Sequence, residues 1–179
     1  MEAGRENPEA PPGGEAATAP EPQPEPASRA PAGAFAALLA GLEGGMVGAL
    51  LMLAWLGIAA VWQQRSFWTS ENLMASAFYG TESIRSGFAT RTLPGMALYL
   101  AIYPLLGALL AAALRDRLSR LRTTLVCIVG AMLWYYASFH WIWERVMPLV
   151  ALLHAERPTA IGHLIFGLWL GRYPEYLKK

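Results

Sequence analysis

Charge is scarce in this chain. Charged side chains make up 15% of 179 residues, against about 25% in ordinary soluble proteins. The net charge is +1, which gives a nucleic-acid backbone no electrostatic footing. There is one cysteine, Cys127, so an internal disulfide is excluded and the cysteine count gives no redox compartment. No glycine stretch is followed by the Lys-Ser/Thr of a phosphate loop, and no Cys-x-x-Cys or His-x-x-x-His spacing occurs. No Ser/His/Asp arrangement is recognisable either. The sequence therefore names no catalytic residue and leads to no expected cofactor.

What is abundant is hydrocarbon. Apolar residues make up 55% of the chain, although its beginning is polar. Residues 1–31 hold 8 of the 13 prolines and 6 of the 13 acids. Such a stretch cannot bury enough apolar area to offset its ordering entropy. It reads as a disordered Pro/Ala/Glu-rich tail over residues 1–32, with extended polyproline-like pieces. It is not a signal peptide, since its start is acidic and the apolar region behind it is too long.

The remainder, residues 33–179, is too apolar to hide in water, because a chain of this size buries only about 70% of its surface. A spanning helix needs about 20 mostly apolar residues. Three runs meet this, over residues 34–62, 93–114 and 123–143. The first is interrupted only by Glu43. A fourth, over about 158–172, is apolar but short, and the charge pattern favours a true span. The expected fold is an all-α membrane protein of about four transmembrane helices. A short helix over about 69–79 is expected to lie in the outer interface, with Leu73, Met74, Ala77 and Phe78 on one side and Gly80 as its stop.

Orientation follows from the loop holding Arg115, Arg117, Arg120 and Arg122 against a single acid, Asp116. Short arginine-rich loops stay in the cytoplasm. Both termini then fall inside, and Arg172, Lys178 and Lys179 agree. Trp62, Trp68, Trp141 and Trp143 fall at the outer boundary, and Trp169, Tyr173 and Tyr176 at the inner one, as aromatic belts. Twelve of the 14 basic residues are arginine and alanine is abundant. That composition is typical of GC-rich bacterial genomes, so the expected site is a bacterial inner membrane.

Between helices in lipid, small residues permit close packing. Gly41 and Gly45 are four apart, as are Gly44 and Gly48, and Gly167 and Gly171 repeat the spacing. Pro104 is expected to kink its helix.

Few residues can carry chemistry. Glu43 is an ionisable group inside an apolar span, which is a functional candidate by default. Its readings are a proton or cation relay and, against that, a carboxyl that fixes helix register between glycine faces. His140, His154 and His163 are expected at one depth beside Glu144, with Tyr136, His140 and Glu144 on one stripe. Imidazole and carboxylate suit a metal or haem iron; the plainer reading is interfacial histidines bonded to tyrosine or backbone.

Three functions compete at this stage. The first is a non-enzymatic subunit or assembly protein of a membrane complex, whose partners are lipid, other membrane proteins or further copies of itself. The second is a small oligomeric transporter or channel using Glu43. The third is a metal- or haem-binding membrane enzyme using the histidines.

Overall fold

The computed structural model describes residues 33–84, 87–115 and 117–177. The tail expected over residues 1–32 lies outside the described residues, as do Asp116, Lys178 and Lys179. Among the described residues every regular element is helical and no strand occurs. Three helices are long and apolar enough to cross a membrane. α1 is Ala34–Trp62. α3 is Thr92–Leu114. α4 is Arg120–Ala137, continued through a π turn, Ser138–Ile142, into α5, Trp143–Val146. The shorter elements are α2, Thr69–Tyr79, the 3-10 turn Gly80–Ser83, α6, Pro148–Leu153, α7, Glu156–Leu170, and α8, Tyr173–Tyr176.

α1 is the central helix. It packs against α3 on one side and α7 on the other, and α7 in turn packs against α4. α3 and α4 hardly touch. The contacts are made where side chains are smallest. A Cβ on Gly41 would lie 2.5 Å from the Gly107 carbonyl oxygen and 2.5 Å from the Ala111 Cβ. No side chain fits there, so the two backbones meet directly. Gly45 faces Pro104, Gly48 faces Phe166, Gly167 faces Cys127, Ile128 and Ala131, and Gly171 faces Thr124. In lipid, whose tails are as apolar as leucine, burial alone would not drive such helices together; close van der Waals contact over these smooth faces would. α3 runs on through Pro104, which is buried against α1.

The direction of α7 follows from its neighbours. Pro158 near its start accepts a bond from Trp55 Nε1 at 2.9 Å, and Gly171 past its end meets Thr124 near the start of α4. α8 then folds back so that Tyr173 and Tyr176 flank Gly44. Glu175 pairs with Arg120 at 2.7 Å and with Arg172 at 3.2 Å. One end of the bundle therefore carries Arg115, Arg117, Arg120, Arg122 and Arg172, the first four all exposed. The other end carries α2, α5 and α6.

α2 departs from the sequence expectation. Its buried residues are Ser70 to Ala75, which include Leu73 and Met74 as expected but not Ala77 or Phe78; Phe78 is 60% exposed. The reason is Gly95. The backbone of α2 presses on α3 at Gly95, where any Cβ would overlap the Glu71 carbonyl and crowd the Ala75 nitrogen. That close approach turns the polar Glu71–Asn72 edge inward. The stop at Gly80 has the required left-handed backbone, with φ of 57°. Neither Thr69 nor Ser70 caps the start of α2; the residue before it is Trp68, and Thr69 donates back to the Ser66 carbonyl at 2.6 Å.

Candidate functional site

The α2 end of the bundle holds a buried polar cluster built by four parts of the chain. α3 supplies Tyr99 and Tyr103, one turn apart, with rings stacked at 5.6 Å. α7 supplies Thr159 and His163, also one turn apart. The corner between α6 and α7 supplies His154. α2 supplies Glu71 and Asn72, and the first residue of α3 is Thr92.

The hydrogen bonds fix the protons. His163 Nδ1 lies 2.8 Å from the Thr159 carbonyl, which can only accept, so Nδ1 carries the hydrogen. In the neutral ring Nε2 then accepts from the Tyr103 hydroxyl at 2.9 Å. Thr159 Oγ1 donates its one proton to the Ala155 carbonyl at 2.7 Å. The His154 Nδ1 at 2.6 Å from that oxygen must therefore be the donor. His154 Nε2 accepts from the Tyr99 hydroxyl at 3.1 Å. Both histidines are thus the same tautomer, each capped by a tyrosine from α3 and anchored to Thr159. Burial lowers the His154 pKa to about 4, with His163 and Arg65 nearby adding to the effect.

The corner bearing His154 is tied down twice more. Arg65 Nη1 donates to the Leu153 carbonyl at 3.0 Å, and Trp55 Nε1 to the Pro158 carbonyl. Two small cavities flank His154. One is lined by Gln63, Arg65, Thr69, Ser70 and the histidine among others, the second by Tyr99, Tyr103, Ser138, Thr159 and both histidines among others. Each has room for about one water molecule.

Glu71 is the exceptional member. It is 1% exposed, and its Oε2 has no hydrogen-bond partner. Burial raises its carboxyl from 4.5 to about 7, against the opposing pull of its own backbone. Its neighbour Asn72 is well satisfied. The Asn72 amide donates to the Gly87 carbonyl at 3.1 Å and its oxygen accepts from Thr92 Oγ1 at 2.7 Å. Thr92 also accepts from the Ala89 backbone at 3.0 Å. This small net ties the stretch before α3 onto α2.

The residues singled out from the sequence fall in different places. His154 and His163 are brought together through Thr159. His140 stands apart, half-buried among the rings of Tyr135, Tyr136 and Phe139. The Tyr135 ring lies between, 5.2 Å from His163 and 6.4 Å from His140. The stripe Tyr136–His140–Glu144 does not run on straight, because the π turn Ser138–Ile142 widens the helix there. Glu144 is exposed. Among the described residues no group of three His, Cys, Asp or Glu side chains is placed to hold a metal. Glu43 lies on the exposed flank of α1, while Gly41, Gly44, Gly45 and Gly48 lie on its buried side. The carboxyl is therefore not set between the glycine faces.

Sequence reasoning did not pick out Glu71, Asn72, Thr92, Tyr99, Tyr103 or Thr159 as members of a site. Two of them carried a signal. Tyr99 and Tyr103 are polar groups at four-residue spacing in a run that is otherwise hydrocarbon, and such a pair marks one face that seeks partners.

No protein family, curated protein or solved structure matches this sequence. The molecule is thus placed by its own features: an all-helical protein with three helices long and apolar enough to cross a membrane.

Proposed function

We propose that the chain is a multi-pass membrane protein that acts without catalysis, as a small subunit or assembly partner of a larger membrane complex. In this reading α7 is a fourth, short span. Its 15 residues reach about 22 Å at 1.5 Å per residue, against a hydrocarbon core of about 30 Å. The Arg120–Glu175 ion pair supports that reading, because it ties the end of the chain to the arginine-rich end. The arginines favour a cytoplasmic position for that end by the positive-inside rule. α2 and α6 then lie at the outer face, and the composition favours a bacterial inner membrane.

The observation that carries the functional reading is the state of the interior. Tyr99, Tyr103, His154, Thr159 and His163 spend their hydrogen bonds on one another, and the space beside them is water-sized. A substrate would need both free polar groups and room. The outer flanks are different: Leu121, Leu125, Val129, Leu133 and Tyr136 line an exposed, bulky face of α4. Such a face suits lipid or a neighbouring helix.

The test is purification of the full chain from its native membrane in a mild detergent, after crosslinking in the intact membrane. The expected result is a membrane protein retained in fixed stoichiometry through two orthogonal columns. A monodisperse chain accompanied only by lipid, with no crosslinked product, removes the proposal.

A further inference from the structure

We infer that Glu71 is a proton-binding site that holds α2 on α3 only while its carboxyl is protonated, which makes the α2 end of the bundle a pH-dependent latch. The geometry supplies the reason. Glu71 sits at the point where α2 and α3 come closest, the Gly95 contact, and is sealed from solvent. Its Oε2 has no donor to accept from. A neutral acid tolerates that place; a carboxylate does not, because an uncompensated buried charge is among the costliest groups a fold can hold.

Among the described residues, the groups around Glu71 give an anion no relief. From α3 the titratable group facing it is Tyr99, whose hydroxyl is already committed to His154. Arg65 and His163 lie beyond, around His154. α6 carries no ionisable side chain, and the end of α1 packed near α2 has none. Glu82 of the 3-10 turn is paired with Arg91 at the surface, at 2.8 Å. The carboxyl is therefore relieved of its charge in one of two ways, by holding a proton or by leaving.

The direction follows. The closed pKa is about 7 and the ordinary value 4.5. A raised pKa stabilises the closed state fully below the ordinary value, and that stabilisation is lost as pH rises through the closed value. The latch closes in acid and loosens through neutrality. Opening frees Ser70 to Ala75 from α3 and strains the Asn72–Thr92 bond, so the motion is confined to α2 and the stretch before α3.

Hydrogen exchange read by mass spectrometry on the full chain in lipid nanodiscs tests this. Rates for the peptide over residues 69–79 are corrected for the intrinsic pH dependence of exchange. Two-state linkage between those pKa values predicts that protection there falls about tenfold from pH 6 to pH 8.5. Glu71→Gln, which keeps the shape of the neutral acid, should be equally protected at both pH values, and Glu71→Leu should behave likewise. The peptide over residues 99–114 should not respond in any variant. Equal corrected protection of the wild-type 69–79 peptide at pH 6 and 8.5 overturns the inference. So does an undiminished pH response in either variant.

Discussion

Tyr103 and His163 form a hydrogen bond of 2.9 Å buried inside the bundle, between a helix that packs on one side of α1 and a helix that packs on the other. Neither helix touches its partner extensively except through α1. This bond therefore spans the core, and its loss is felt by three helices.

Tyr103→Phe keeps the ring contacts with Phe166 and Tyr99 but leaves His163 Nε2 without its donor. A buried acceptor deprived of a partner costs roughly 1–2 kcal/mol. Thermal unfolding in detergent should show a lowered Tm for Tyr103→Phe, while Tyr136→Phe, at an exposed position, should leave it unchanged. Equal melting of both variants would show that the bond contributes nothing.

Gly41→Val places three carbons where 2.5 Å separates a Cβ from the Gly107 oxygen. α1 and α3 must then part along their length. The loss is expected to exceed that of an ordinary overpacking change, typically 1–3 kcal/mol, and to appear as poor yield and early aggregation in detergent. Gly33→Val, with nothing within 4 Å, is the matched control and should behave as the wild type.

His154 and Glu71 contribute to the pH dependence of stability with opposite signs. His154, lowered from 6.5 to about 4, stabilises the fold fully above its ordinary value and loses that contribution as pH falls to about 4. Glu71, raised from 4.5 to about 7, works the other way over nearly the same window. Glu71 therefore offsets part of the loss that histidine protonation causes on acidification, and wild-type stability should change less between pH 4.5 and 6.5 than that of Glu71→Gln. Glu71→Gln removes one side of the balance. Its stability should fall on acidification through that window, by on the order of 2 kcal/mol. Chemical denaturation at a series of pH values reads this directly, and a flat profile for the variant would contradict it.

The arginine end sets orientation in the proposed topology. Replacing Arg115, Arg117, Arg120 and Arg122 together with glutamine removes the positive-inside signal. In a Cys127→Ala background, a cysteine introduced in the 115–119 loop should be shielded from a membrane-impermeant thiol reagent in intact cells. In the four-glutamine variant a fraction of the chains should become labelled. Labelling of the parent loop from outside would reverse the proposed orientation.

Much of this architecture is legible from local sequence, because length and apolarity act locally. The uncharged run through α3 and the nearly uncharged run through α1 admit helices and little else. What local reading misses is set by distant contacts. Glu71 looks like a solvated residue in the first turn of a short helix, where an acid is ordinary. Its burial is decided by Gly95, on another helix. The exposure of Phe78 has the same origin. Expected depth groups His140 with the other histidines and helical spacing groups it with Tyr136 and Glu144, and the π turn shifts that spacing. His154 and His163 meet because Thr159 offers a hydroxyl and a carbonyl at once, a pairing that no periodicity displays.

α4 finds its packing partner chiefly in α7, and α7 is made last among the long elements. Assembly is therefore tied to the order of synthesis. Until the ribosome has delivered the segment after residue 156, α4 lacks the neighbour that docks it to α1, while α1 and α3 already have one another. A message truncated there would yield a chain in which α1 and α3 can pair but α4 cannot dock, and in which Gly48 lacks the Phe166 ring that covers it.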